Sequence, residues 1–160
     1  MESTEFDTYL VGTQKTYSED ENENITDSAS AVTAMATGVK TYNAAISVDN
    51  DKTEVKIVLE QAKEKGKATG LVVTAEIAHA TSAAFGAHDM HRENLDAIAN
   101  DYFDEKVKGK HKVDVMLGGG MKNFIRKDRN LTEEFNDTDS NRAFKEKQKC
   151  LLPNNGRKPN

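Results

Sequence analysis

The 160-residue sequence has no tryptophan, a single cysteine and two prolines. With Cys150 alone, an internal disulfide and a cysteine-based zinc site are both excluded. No apolar run approaches the roughly 18 residues that a membrane-spanning helix needs. Positive charge is also in short supply: 22 Lys and Arg stand against 27 Asp and Glu, for a net charge of −5. That excludes a general nucleic-acid binder, which needs clustered Lys and Arg on the phosphates. It leaves room for a small phosphorylated ligand, whose charge a single arginine or a metal meets locally. The first 25 residues lack the basic start and apolar centre of a secretory leader. Taken as it stands, the chain is expected in the cytoplasm, unless an address signal lies upstream. Hydrophobic residues make up 36% and charged residues 31%, with a mean hydropathy of −0.73. This is polar for a compact domain and implies a large surface or disordered segments.

Within those bounds the patterning is α/β. Residues 1–24 read as a lead-in that turns acidic at Glu19, Asp20, Glu21 and Glu23, a solvated loop in which only Tyr9, Leu10 and Val11 suggest a core element. Residues 28–37 predict a helix, with Val32 and Met35 as its larger packing residues and Gly38 as its stop. Residues 44–48 suggest a short strand. Residues 53–66 mix Val55, Ile57, Val58, Leu59 and Ala62 with Lys and Glu, an amphipathic helix ending at Gly66. Gly70 to Thr74 follows as a buried strand, giving half of a βαβ unit. Residues 75–92 lack clear periodicity and read as an irregular segment at the carboxyl end of that strand, where open α/β sheets bind ligands. A second amphipathic helix is predicted over 93–108 and a second buried strand over Val113–Leu117. The Gly118-Gly119-Gly120 run lacks the Gly-Lys-Ser/Thr of a phosphate loop and reads as a tight turn into a short helix from Met121 to about Arg126. From 136 to 160 the chain is polar, carries both prolines and is expected to be a weakly structured tail.

The organising stretch is Ile25 to Asp49, where Asp27 and Ser28 stand side by side before the first helix. Two readings compete on spacing alone. Asp27 is an ordinary N-cap, and that is the stronger of the two. Alternatively, Ser28 is a nucleophile on the first helical turn, where free N–H groups and the helix dipole favour an anion. His88 and His91, three apart, invite a metal reading but are expected to be solvated. His111 precedes a strand and reads as structural. Arg92 by itself would be a surface arginine at the start of a helix, and Thr81 a loop hydroxyl.

The motifs together go further. The pattern T-D-S-A-x-x-x-T-A-x-x-T-G-V-K-T-Y-N at 26–43 is followed by E-I-A-H-A-T-S-A-A-F-G-A-H-D-M-H-R at 76–92, then H-K-V-D-V-M-L-G-G-G at 111–120 and N-F-I-R-K-D-R-N-L-T-E-E-F at 123–135. In that order they resemble the alkaline phosphatase family, in particular its Firmicute-like bacterial branch, over roughly residues 5 to 135. The resemblance implies an α/β fold, part of an α/β/α sandwich with a central, mostly parallel sheet, over 25–135. It implies phosphomonoester hydrolysis through a phosphoserine. Ser28 matches the nucleophile, which also ligates zinc as its alkoxide. Asp27 matches the acid that holds the substrate-binding arginine, and Arg92 matches that arginine, whose planar fork suits two phosphate oxygens. Thr81 matches a magnesium ligand. His79 stands at a position near the same magnesium, where some members carry aspartate, as a ligand or behind one. Two zinc ions and one magnesium are the implied cofactors, and small phosphomonoesters the implied substrates. Full-length members are often homodimers and are usually exported.

The sequence also departs from the family pattern. Nothing matches the aspartate of the family's first strand, which bridges zinc and magnesium. Nothing after Phe135 matches the later half, which holds the remaining zinc ligands and a magnesium glutamate. Two readings follow: a piece of a working phosphatase, or a catalytically silent domain that at most binds phosphate or a partner. A soluble α/β domain without phosphate affinity is the third.

Overall fold

The structure is a computed structural model, and it describes residues 4–136 apart from 22 and 24, with the side chains of 135 and 136 left out. Eleven elements occur among them. They are α1 (Glu5–Tyr9), α2 (Ser28–Thr37), α3 (Val58–Glu64), β1 (Gly70–Glu76), α4 (Ala80–Ala83), α5 (Leu95–Asp104), β2 (Lys106–Val107), β3 (Lys110–His111), β4 (Val115–Gly119), α6 (Met121–Phe124) and α7 (Leu131–Asn136). β1 and β4 pair in parallel, Gly70 opposite Val115 and Val72 opposite Leu117, with an irregularity between Val72 and Glu76. The crossover between them carries α4 and α5, which completes the βαβ unit predicted from the sequence. β2 and β3 form a small antiparallel hairpin that the periodicity did not predict.

The first helix begins and ends where its sequence dictates. Asp27 is the N-cap, its carboxylate accepting from the Ser30 N–H, and Gly38 closes the helix at φ 80°, in the left-handed region. Ala29, Val32 and Ala36 are buried. Their small volumes let α2 lie against α4, itself a turn of Ala, Thr and Ser. Met35, in contrast, is half exposed and is not one of the packing residues. Thr33 fixes the next segment: its Oγ donates to the Ala45 carbonyl at 3.0 Å and accepts from the Ser47 N–H at 2.9 Å. The Ser47 hydroxyl then donates to the Ala84 carbonyl at 2.6 Å.

Several boundaries differ from the patterned expectation. The stretch 44–48 is not a strand. It makes only isolated bridges, Ile46 to Asp89 and Val48 to Glu54, because Ala44 and Ser47 adopt positive φ and break extended geometry. The helix expected over 53–66 starts at Val58, since Glu54 is committed to the bridge with Val48. Gly70–Glu76 is a strand, but only Leu71 is buried in it, and Val72 is exposed. β4 is likewise only half buried. Among the described residues each strand has one partner, so both have a free edge, and the face that Val72 lines is left uncovered. Of the three glycines, Gly118 and Gly119 end β4, and Gly120, at φ 87°, makes the turn into α6. Tyr9, Leu10 and Val11 are exposed and outside the core. In the acidic lead-in Glu19, Glu21 and Glu23 are exposed, whereas Asp20 accepts from the Asn43 N–H at 3.3 Å and the preceding Ser18 is buried. The tail expected from 136 lies, from 137 on, outside the described residues.

The core collects on the inner side of α5. Ile98, Ala99 and Tyr102 are buried there with Leu71, Ile77, Val113, Phe124 and Leu131. Tyr102 stacks on Phe124 with ring centroids 6.4 Å apart, and Phe103 meets Phe124 edge-on at 6.1 Å. This packing holds the loop from β1 to α5, which carries His79, Thr81 and Arg92, against α2.

Candidate active site

Four of the five residues singled out in the sequence meet in space. Arg92 Nη1 donates to Ser28 Oγ at 2.8 Å and to Asp27 Oδ2 at 3.0 Å. Arg92 Nη2 lies 3.3 Å from His79 Nε2. Arginine can only donate, so that imidazole nitrogen accepts and its hydrogen belongs on Nδ1. Asp27 and Arg92 are 27% and 19% exposed, wet enough for a ligand to reach and dry enough for the pair to hold its geometry. Arg92 is therefore no free surface arginine. Thr81, in the first turn of α4, is exposed, and among the described residues no hydrogen bond ties its side chain to the other four.

Asp27 has two tasks at once. Its Oδ1 accepts from the Ser30 N–H at 2.9 Å and the Ser30 hydroxyl at 3.0 Å. Its Oδ2 accepts from Arg92 and from the Ala44 N–H at 3.1 Å. Burial pushes its pKa up, but the bonds from Ser30, Arg92 and Ala44 outweigh that and hold the carboxyl below the usual carboxylate range. The cap and nucleophile readings of Asp27-Ser28 are thus compatible: the carboxylate that caps α2 is the one that anchors the arginine on the serine.

Residues that sequence reasoning passed over complete the arrangement. Asn43 Oδ1 accepts from the Asp27 N–H at 3.1 Å and lies 3.0 Å from the Ser30 hydroxyl, whose one hydrogen is shared between Asn43 and Asp27, while its amide donates to the Ile25 carbonyl. Ala44 joins the two halves: its N–H goes to Asp27, and its carbonyl accepts from the Arg92 N–H at 2.8 Å. It does so at φ 71°, a left-handed conformation that costs a non-glycine residue about 1 kcal/mol. Asn43 closes the T-D-S-A…T-Y-N pattern, which was the only hint of its role. Nothing in the sequence flags Ala44.

The donor set around Ser28 was tested against the metals the resemblance implies. A zinc site needs three or four protein or water ligands of N, O or S type. Beside Ser28 stand a capping carboxylate saturated with hydrogen bonds and an imidazole whose accepting nitrogen faces Arg92. Magnesium asks for about six oxygens, and with the Asp27 carboxylate committed to its cap and to Arg92, only the Ser28 and Thr81 hydroxyls are left. The described residues do not fit a complete zinc or magnesium centre at this serine. Among them, the one group of three His, Cys, Asp or Glu ligands is Glu54, His88 and Glu105, which shares no residue with this site. His88, expected to be solvated, is a buried ring.

A parallel strand pair joined through a helical crossover, with a loop-borne arginine laid over a serine at a helix start, defines an α/β protein. The chain belongs to the alkaline phosphatase family, whose model matches residues 1–155. It is 66% identical over 135 residues to alkaline phosphatase 3 of Bacillus subtilis, covering 84% of this chain and 29% of that protein. The structure superposes on the cold-active alkaline phosphatase of the psychrophile Shewanella sp. with a TM-score of 0.74 and 43% identity, over 84% of this chain and 32% of that one. For the alkaline phosphatase of the Antarctic bacterium TAB5 the TM-score is 0.64 at 39% identity, over 72% and 33%. The chain therefore spans less than a third of the Bacillus relative. The family model also runs past Phe135, where the motif resemblance ends. Among the described residues, no helix is long and apolar enough to cross a membrane.

Proposed function

We propose that this chain is the nucleophile-bearing part of a phosphomonoester hydrolase, with Ser28 accepting the phosphoryl group. The observation that carries this reading is the single guanidinium nitrogen shared between Ser28 Oγ and Asp27 Oδ2. Arg92 is anchored by one carboxylate oxygen and aimed at the hydroxyl, so a phosphate arriving at Ser28 meets a cation already in place. Its role is to neutralise charge on the non-bridging oxygens as it builds. The start of α2 adds the positive end of its dipole to the same anion. Asp27 positions the arginine, and Asn43 and Ala44 position Asp27.

Metal ions belong to this reading as cofactors whose ligands are supplied largely from outside the described residues. Thr81 would supply one oxygen to a magnesium ion completed from elsewhere, and His79, held by Arg92 at 3.3 Å, would stand near it. Two variants of the TAB5 enzyme, with a histidine replaced by aspartate or glutamate, are described as having Mg bound in an M3 site. That supports a histidine position in this family at which an acid goes with magnesium.

A chimera tests the proposal. Residues 5–135 replace the corresponding segment of the Bacillus subtilis relative, which supplies the remainder of the protein. The chimera should hydrolyse p-nitrophenyl phosphate. Ser28→Ala in it should lower kcat by about a thousandfold or more, and Arg92→Ala by about a hundredfold or more. A Ser28→Ala chimera as active as its parent would refute the assignment.

The second reading, a silent domain, is favoured by the donor set at Ser28. It applies to the 160-residue chain by itself, which should show no zinc-dependent hydrolysis of p-nitrophenyl phosphate. A Ser28-dependent rate abolished by a chelator would overturn it.

A further inference from the structure

A second cluster of ligating side chains has no part in the Ser28 site. His88 lies in the loop after α4, its backbone N–H held by Asp101 Oδ2 at 2.7 Å. Its side chain is 4% exposed. Ring Nε2 is 3.2 Å from the Val55 carbonyl. A carbonyl only accepts, so Nε2 donates to it, and Nδ1 is the ring nitrogen that faces away from the backbone. That nitrogen is buried and makes no hydrogen bond. It points among acceptors: Glu105 Oε2 is 3.6 Å away and Asp101 Oδ2 3.9 Å.

A buried ring nitrogen among carboxylates is a place for a positive charge, whether a proton on the ring or a metal ion between the groups. Lys112, itself buried, meets part of the charge, reaching Asp101 at 2.9 Å and Glu105 at 2.7 Å. Glu60 lies 4.0 Å from Nε2, and Glu54 reaches the same place from its bridge with Val48. Four carboxylates thus lie around this imidazole, two of them paired with Lys112 and Glu60 also accepting from the Ile57 N–H. Ligand atoms of Glu54, His88 and Glu105 lie within 4.8 Å of one another. Ligands of a shared tetrahedral zinc stand about 3.4 Å apart, so the three side chains, of which Glu54 is the exposed one, must draw together on the ion. An imidazole that gives its other N–H to a backbone carbonyl has the orientation typical of metal-ligating histidines.

We propose that Glu54, His88 and Glu105 bind one divalent ion of the zinc type, which clips the segment before α3 to the C-terminal end of α5. One imidazole nitrogen and two carboxylates match such an ion better than magnesium or calcium, which favour oxygen alone.

The test uses the whole 160-residue chain, stripped with chelator, in a Ser28→Ala/His79→Ala background so that the other site's donors do not contribute. Zinc chloride is titrated against a chromophoric competitor, and cobalt chloride serves as the spectroscopic probe. The background protein should take up one equivalent of zinc, and cobalt should develop visible ligand-field bands. Glu54→Gln, a surface change that leaves the fold in place, should weaken zinc by at least about tenfold, and His88→Gln should abolish both signals. One equivalent of zinc should also shift the His88 Nδ1 nitrogen resonance. Absence of stoichiometric uptake, equal affinity in Glu54→Gln, or an unmoved Nδ1 resonance would each overturn the proposal.

Discussion

Asp27 links fold and site, and replacing it separates the two contributions. Asp27→Ala removes the cap of α2, worth about 1 kcal/mol. It also removes the acceptor of the Arg92 bond, a charge-assisted interaction of about 1.5–3 kcal/mol when fully dry. With Asp27 27% and Arg92 19% exposed, solvent screening reduces the second figure to about 1–2 kcal/mol. The loss for Asp27→Ala is therefore about 2–3 kcal/mol. Asparagine caps as well as aspartate does but turns a neutral donor amide to Arg92 and the Ala44 N–H, so Asp27→Asn should lose the Oδ2 bonds yet keep the cap and cost about 1 kcal/mol less than Asp27→Ala. The pH dependence has a definite sign. The folded pKa of Asp27 lies below its ordinary value, so the unfolded chain binds the proton more readily. The stabilisation is complete above the unfolded value of about 3.9 and is lost as pH falls through the folded one. Urea unfolding followed by circular dichroism, near neutrality and again as pH falls toward about 3, measures all of this. The reasoning fails if Asp27→Asn is as destabilised as Asp27→Ala, or if the deficit of Asp27→Asn does not shrink in acid.

Lys112→Met should cost about 3–5 kcal/mol at about pH 8, because it strands the buried Asp101 carboxylate. Burial already raises the Asp101 pKa against the pull of Lys112; a raised carboxyl loses stability as pH rises, so the deficit should shrink at about pH 5 in the same urea assay. Tyr102→Phe should cost only about 1 kcal/mol, since the Ile77 carbonyl that accepts from Tyr102 at 3.0 Å also accepts from Ser82 at 2.7 Å; a thermal melt reads it, and a loss several times larger would refute the sharing. Ala44→Gly should leave stability unchanged or raise it by up to about 1 kcal/mol, because Ala44 is held at φ 71°; a clear loss in chemical denaturation would refute the strain.

Local rules carried much of the architecture. Small residues between Asp27 and Gly38 specified a helix with its cap and stop, because capping and left-handed closure are decided within a few residues. The parallel pairing of β1 and β4 followed from strand, helix and strand in that order. Burial could not be read the same way: Val72 looks like a core residue in sequence, yet it is exposed, since burial depends on what covers a sheet face. The candidate residues, too, were named from motif order, and neither composition nor spacing could bring Arg92 to Ser28 across 64 positions. That contact is a product of tertiary structure. Ala44 bends into the left-handed region, turns its N–H to Asp27 and its carbonyl to Arg92, and so fixes the arginine on the serine. His88 shows the same division, a histidine that by spacing belonged in solvent and that the packing of α5 buried among carboxylates.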